Sequence, residues 1–537
     1  MKTFSLVLVA PSHYDDDGYV IQWFRSWLPA NSIACLYGLA IECRRNRVLG
    51  ENVKLEIHVF DETNTHINTG KIASLIESAD DGMLMLVGVQ SSQFPRSLDI
   101  AAPLRAMGIK VAIGGFHVSG VMSMIKKPDA YMQKALDIGV SMFSGEVEGR
   151  LGHVLIDAAN DKLEPIYNFL DDLPDISNTA IPFIPAERVR LTAGLTASFD
   201  AGRGCPFTCS FCTIINVQGH TSRNRSVESI ERIIRFNVKQ GLNLFFISDD
   251  DFARNKNWEA ILDKFIELRE VHKLKIEFSF MIDTLAYKLP GFIEKSRRAG
   301  VTQVFIGLEN INSDALLSVD KRQNKISDYR KMLLALDKAG IITSCGYILG
   351  FPNDTQESIL RDIEIIKKEL PMDLISFLCL TPLPGSKDHE TLHTAGVAMD
   401  EDLNIYDLNH AVTAHPKMSK VNWEETYYKA WEACYTYEHT ETTLKRMMVT
   451  GTSSSKALDL VTLITMFKGC IGIEKIHPTK GGVFRRKSRK ERRPTLPIES
   501  PFVFYSKYFF ETIWKLCRWT IIIIRMRLIS KKVLNDS

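Results

Sequence analysis

Three cysteines fall within eight residues in the segment GRGCPFTCSFC, at Cys205, Cys209 and Cys212. Their spacing is C-x3-C-x2-C. Thiolates this close in sequence can fold around one metal centre. A [4Fe-4S] cube has four irons and normally takes four thiolates. Three local ligands leave one iron open to bind something else, which suits catalysis rather than plain electron transfer. The spacing by itself also admits a zinc site with His220 as a fourth ligand, since zinc takes Cys3His.

Such a centre needs a scaffold that brings distant loops to one place. LTASFD runs directly into the cysteine segment and reads as a strand. Ser226 can cap a helix in which Val227, Ile230, Ile233, Ile234 and Val238 share a face, and Gly241 ends it. NLFFIS, IEFSFMI, TQVFIGLE, TSCGYILG and LISFLCL follow as strands, with helices at about 257–272, 290–299, 327–339 and 355–370 between them. Six βα units in sequence predict a parallel barrel, and six rather than eight predict one left open on one side. Upstream, SLVLVA, KLEIHVF, MLMLVGV and KVAIGG alternate with helical stretches. Continuous apolar runs of this kind fit strands covered on both faces, so the first 160 residues are expected to form a doubly wound, Rossmann-like α/β domain. Ligands of such domains sit at the carboxyl ends of strands, where Gly88, Gln90, Ser91, Gly114, Gly115 and His117 fall. The expected division is 1–160, a Pro- and Asp-rich linker at 161–190, the barrel at 191–420, a helical region at 421–480 and a basic tail at 481–537.

The bulk numbers exclude several classes. With 537 residues the chain is too long for one core, and 45% hydrophobic with 24% charged residues is globular composition. A formal charge of +2 gives no general reason for a nucleic-acid partner. Ten scattered cysteines suit a reduced, cytoplasmic thiol set rather than a secreted disulfide scaffold. Phe4–Ala10 reads as a buried strand and not a signal peptide, and no run reaches the roughly 18 uncharged apolar residues of a membrane span.

The cysteine spacing, with Phe211 just before the last cysteine, resembles the radical S-adenosylmethionine (SAM) superfamily. That resemblance implies a partial (β/α)6 barrel, in agreement with the independent count of six units. It implies that the open iron binds the amino and carboxylate groups of SAM, and that one electron cleaves the sulfonium to give a 5′-deoxyadenosyl radical. An external donor such as flavodoxin or ferredoxin would supply the electron. SDDDF resembles the segment that receives the SAM ammonium group, with Asp249 and Asp250 as candidates; it reads equally as an acidic helix start. FIGLEN with Glu309, and GYILGFPND with Gly346 and Gly350, resemble SAM-contact segments. LTPLPGS resembles the loop after the sixth strand. Arg203 reads as a charge supporting the centre or as a surface residue.

Pro11, VGVQSS, IGGFH and SGEVEG make the first domain similar to the cobalamin-binding domain fused to many radical SAM enzymes. The resemblance implies that Gln90, Ser91, Gly114, Gly115 and His117 lie around the corrin. The Asp-x-His-x-x-Gly loop that supplies a cobalt ligand in methionine-synthase-type domains is missing. The implied reaction is cobalamin-dependent methylation of a substrate carbon. Its rivals are radical rearrangement, cyclisation or oxidation without methyl transfer, and a non-catalytic iron–sulfur or cobalamin sensor. In the tail, RRKSRKERRP reads as a solvated basic run. The aromatic, basic segment 502–529 reads either as an amphipathic helix lying on an anionic membrane at its inner face or as a helix docked on the protein.

Overall fold

The computed structural model describes residues 1–451 and 453–535. Two six-stranded parallel sheets organise it. The first contains Lys2–Ala10, Val53–Asp61, Asp81–Leu86, Lys110–Gly114, Ser141–Ser144 and Ile166–Asn168. In their own order along the chain these strands lie 2-1-3-4-5-6, so the switch point falls between the first and the third. Phe4–Val9 is buried throughout, which is why its sequence is continuously apolar rather than alternating.

The second sheet runs Thr196–Phe199, Leu244–Ile247, Glu277–Ile282, Val301–Glu309, Ile342–Leu349 and Leu374–Cys379, each parallel to its neighbour. The first and last strands do not pair, so the barrel is open. Its helices are those the apolar spacing predicts; Val227–Lys239, for example, starts with Ser226 accepting from the Ser229 amide and buries Ile230, Ile233 and Ile234.

Two expectations change. Within 161–190, Ile166–Asn168 is not linker but the sixth strand of the first sheet, pinned by a buried Tyr167 whose hydroxyl donates to Asp157 (2.7 Å). The basic run at 485–493 is not solvated. Gly482–Arg486 pairs antiparallel with Gln22–Ser26. Arg485 meets Asp15, Lys487 meets Glu511, Arg493 meets Asp402, and Arg486 donates to the Trp23 and Asn64 carbonyls. Charge alone does not say whether a cation faces water or a carboxylate.

Helices Lys420–Cys434, Tyr437–Val449 and Ser454–Gly469 close the open side and the outer face of the barrel. One long helix, Pro501–Asn535, lies against the last two, with Ile522, Met526 and Val533 buried.

Candidate active site at the facing strand ends

The cysteine loop leaves the first barrel strand and doubles back. Cys205 N–H donates to Gly219 O (3.3 Å), and Ser210 N–H donates to Val319 O (3.0 Å), which ties the loop to the segment after the fourth strand. All ten cysteines are free; Cys209 is buried, and Cys205 and Cys212 are partly open. Gln323 Nε2 donates to the Cys209 sulfur (3.4 Å), and the backbone at Phe207 and Ile214 pulls the Cys205 and Cys212 thiols down. N–H donors to sulfur are a feature of iron–sulfur sites. Without a metal, burial together with Asp251 and Asp250 pushes the Cys205 thiol up to about 12, and burial pushes Cys212 up to about 11. A cluster must therefore bring the positive charge that deprotonates them. Among the described residues no group of His, Cys, Asp or Glu converges on one ion, and His220 is exposed.

The three aspartates after the second strand turn toward the protein. Asp249 accepts from the amides of Ala201 (2.6 Å) and Gly202 (2.8 Å) and from Asn255 (3.2 Å). Asp250 accepts from the Gly204 amide (2.9 Å). Both brace the backbone leading into Cys205. Burial pushes Asp249 up to about 7 and Asp250 up to about 6, against the N–H donors that pull both down. Asp251 caps the turn Phe252–Arg254 and lies against Asp283, whose partner is Arg254.

Glu309 ends the fourth strand with φ of 65°, in the left-handed region that a non-glycine residue adopts at a cost. Its carboxylate pairs with the buried Lys321, whose ammonium lies 5.6 Å from the Phe211 ring centre inside the cysteine segment. Gly307 and Gly346 leave room for this pair: a Cβ at Gly307 would come within 2.9 Å of the Lys321 ammonium, and one at Gly346 within 3.5 Å of the Glu309 carboxylate. Lys321 and Gln323 are the residues that sequence reading missed. They sit in VDKRQN, a polar loop that looks like surface and is brought inward by Asn324, which donates to the Gly307 and Leu308 carbonyls. Gly350 does not face an open ligand space. The Trp423 indole from helix Lys420–Cys434 occupies the space a side chain there would need, and Asp354 accepts from the Gly350 and Phe351 amides.

At the edge of the first sheet, Gln90 is exposed, while Ser91 and His117 are buried. His117 Nδ1 lies 3.1 Å from Ser91 Oγ. Nε2 lies 3.1 Å from Asp129 Oδ2 but has no hydrogen-bond partner among the described residues. Gly114 packs on Phe143, and Gly115, at φ 149°, packs on the backbone of Val89.

The two edges meet. Helix Phe116–Met124 packs on Ile214–Val217, immediately after Cys212. Gly120 touches the Pro384 carbonyl so closely that a Cβ there would lie 2.1 Å from it. Below, SGEVEG is tied to the cysteine loop by buried charge. Arg203 pairs with Glu146 (2.6 Å), Glu148 (2.6 Å) and Asp200 (3.0 Å), Arg223 pairs with Glu146, and Arg225 with Asp200 (3.3 Å). Three arginines face three carboxylates. Burial opposes every one of these charges, yet the arginines hold Asp200 and Glu148 below the usual carboxylate range.

The profile of the radical SAM superfamily matches residues 201–366, from the end of the first barrel strand to the helix after the fifth. The barrel is thus a radical SAM domain, of a class that uses a [4Fe-4S] cluster and SAM. The bacteriochlorophyllide d C-8(2)-methyltransferase of Chlorobaculum tepidum is 25% identical over 408 residues, covering 72% of this chain and 84% of that protein. The hopanoid C-2 methylase of Rhodopseudomonas palustris is 24% identical over 313 residues, 57% of this chain and 56% of that one. Among solved structures, the radical SAM methyltransferase TsrM from Kitasatospora setae superposes with a TM-score of 0.56 at 14% identity over 74% of this chain and 77% of that chain. The cobalamin-dependent SAM radical enzyme OxsB gives 0.56 at 14% identity over 100% and 83%. At such identities the two structures establish the shared fold.

Proposed function

We propose that this chain is a cobalamin-dependent radical SAM methylase acting on an unactivated carbon. One observation carries the reading: the carboxyl edge of the first sheet is packed against the loop behind Cys212 and the loop after the sixth barrel strand. A corrin lying on that edge would stand beside the cysteine loop. The names of the similar methyltransferases and methylases support methyl transfer. When bound, the cluster supplies the electron that cleaves SAM and cobalamin carries the methyl group.

The chain's own residues do the rest. Cys205, Cys209 and Cys212 hold the irons, with Gln323 donating to the Cys209 sulfur. Asp249 and Asp250 fix the loop's entry. The Glu309–Lys321 pair fixes charge beside Phe211, in reach of a zwitterion such as the amino-acid end of SAM. An external reductant delivers the electrons.

The test is anaerobic reconstitution followed by measurement of iron, sulfide, the visible cobalamin spectrum, and products from SAM with dithionite. Bound cobalamin and four irons are expected, with 5′-deoxyadenosine and S-adenosylhomocysteine both formed, and all cleavage lost in Cys205→Ala, Cys209→Ala and Cys212→Ala. Deoxyadenosine without S-adenosylhomocysteine, once the true substrate is supplied, points to rearrangement, cyclisation or oxidation. Zinc in place of iron, with SAM intact, overturns the proposal.

The tail adds a membrane surface to this reading. Among the described residues no helix is long and apolar enough to cross a bilayer. Helix Pro501–Asn535 nevertheless exposes Phe502, Phe509, Phe510, Trp514, Ile524 and Leu528, beside the exposed cations Lys507, Arg518, Arg525 and Arg527. Its one acid within the described residues, Glu511, is paired with Lys487 and Lys515. An apolar face flanked by cations suits an anionic bilayer surface. Flotation with phosphatidylglycerol vesicles is expected for the intact chain and lost on changing Phe509, Phe510 and Trp514 together to Ser; equal flotation of both proteins refutes the contact.

A further inference from the structure

A lysine without a counter-ion sits where the two carboxyl edges approach. Lys480 ends the turn Pro478–Lys480, and its carbonyl accepts from the Trp23 indole (2.9 Å). Its ammonium has a single, long hydrogen bond, to Ser92 Oγ at 3.5 Å, and no carboxylate in ion-pair reach among the described residues. The acid it senses, Asp407, is already engaged: it accepts from His410 Nδ1 (2.9 Å) and from Asn409. His13 lies in the same electrostatic neighbourhood and is only 4% exposed, yet its ring nitrogens have no hydrogen-bond partner among the described residues.

The placement of these groups fits a ligand rather than packing. His13 follows the first strand of the N-terminal sheet and Ser92 follows the third, so the two bracket the switch point where doubly wound domains bind ligands. From the other side, the Leu408 carbonyl accepts from the Cys379 amide (2.7 Å) and the Asn409 carbonyl from its thiol (3.4 Å), at the end of the sixth barrel strand. These groups therefore lie between the carboxyl edges of both sheets. Asp16 and Asp407 keep His410 protonated, Arg485 is spent on Asp15, and Lys480 is left as unmatched positive charge. An isolated ammonium removed from water is costly until an anion joins it.

We propose that Lys480, with Ser92 and His13, binds an acidic oxygen group, a carboxylate or phosphate, on the molecule that this enzyme modifies. Lys480 supplies the charge, Ser92 a hydroxyl donor and His13 a ring N–H. Burial holds Lys480 below the usual lysine range in the free protein, so the arriving anion is also what keeps it fully charged. The identity of the ligand as substrate rests on the methylase reading; the anion site itself does not.

The experiment measures the melting temperature of the full chain against inorganic phosphate and acetate, at ionic strength held constant with chloride. A saturable rise is expected for the unaltered protein. The apparent Kd is expected to rise at least tenfold in Lys480→Met and several-fold in Ser92→Ala and His13→Gln, which keep the lysine. Lys475→Met, on the same segment with its ammonium over the Tyr428 ring, is expected to leave binding unchanged. The same rise in Lys480→Met as in the unaltered chain, or a rise that chloride reproduces, overturns the site. Should Lys480→Met fold poorly, unaltered binding in both Ser92→Ala and His13→Gln overturns it equally. Cobalamin and cobinamide, which lacks the nucleotide phosphate, separate the sources of the anion. Weakened uptake of cobalamin alone in Lys480→Met would assign the anion to the cofactor and overturn the substrate assignment. Phosphate binding needs no SAM cleavage, so failure of this site and failure of the methylase reading are told apart.

Discussion

At the carboxyl edge of the N-terminal sheet, His117 is buried between Ser91 and Asp129, and Gly114 and Gly115 pack against neighbouring chain. At the carboxyl edge of the barrel, three thiols and the Glu309–Lys321 pair face a loop that the fold does not need for its core. The same kind of edge is thus used in two ways. Apart from His13 and Ser92, the first sheet packs the residues at this edge on one another and presents a surface. The barrel keeps charged and nucleophilic groups in reserve and supports them from behind. Arg203 and its carboxylates join the two, so a disturbance at the joint is expected to be felt on both sides.

The largest effect should come from that joint. Arg203→Met leaves Asp200, Glu146 and Glu148 with too little positive charge in a buried setting, and should cost about 5 kcal/mol in urea unfolding, together with loss of reconstituted iron. Next, Lys321→Met strands Glu309 and should cost about 3 kcal/mol, with SAM affinity falling; Glu309→Gln added to it should restore much of the stability but not the affinity. Recovery of both would make the pair structural only and erase the contrast between the edges.

A third prediction concerns the seam at His410. Burial pulls this histidine down, but Asp16 and Asp407 raise it to about 10. A group raised in the folded state adds stability that is complete below its unfolded value near 6.5 and is lost as pH climbs toward about 10. Unfolding free energy should therefore fall by about 2 kcal/mol more in the unaltered chain than in His410→Gln over that range; parallel curves would remove the histidine from the account. The smallest effect is expected at His117→Leu, about 1 kcal/mol of stability with the cobalamin spectrum unchanged. A changed spectrum would mean that the histidine reaches cobalt after all.

Much of this architecture is legible in the sequence. Six apolar runs between amphipathic helices give the open barrel because a strand covered on both faces has little choice but to be apolar throughout. The cysteine spacing is legible because its three thiols are local. Lys321 and Gln323 are not, since their inward turn depends on Asn324 gripping the carbonyls of a strand end fixed by the whole sheet. Gly350 misleads for a related reason: its freedom from a side chain serves Trp423, which lies 73 residues further along the chain, and local pattern cannot choose between an indole and a ligand. The arginines at 485–493 read as solvated because composition carries no record of the carboxylates awaiting them.

The strand Gly482–Arg486 has a consequence in time. It completes the ribbon with Gln22–Ser26, and the Trp23 indole finds its acceptor at the Lys480 carbonyl, 457 residues away. During synthesis at roughly 5–20 residues per second, the first domain must wait on the order of half a minute to a minute and a half for that partner to emerge. Until then Phe24 and its neighbours form an unpaired edge, open to mispairing, and a segment made much later acts as the clasp.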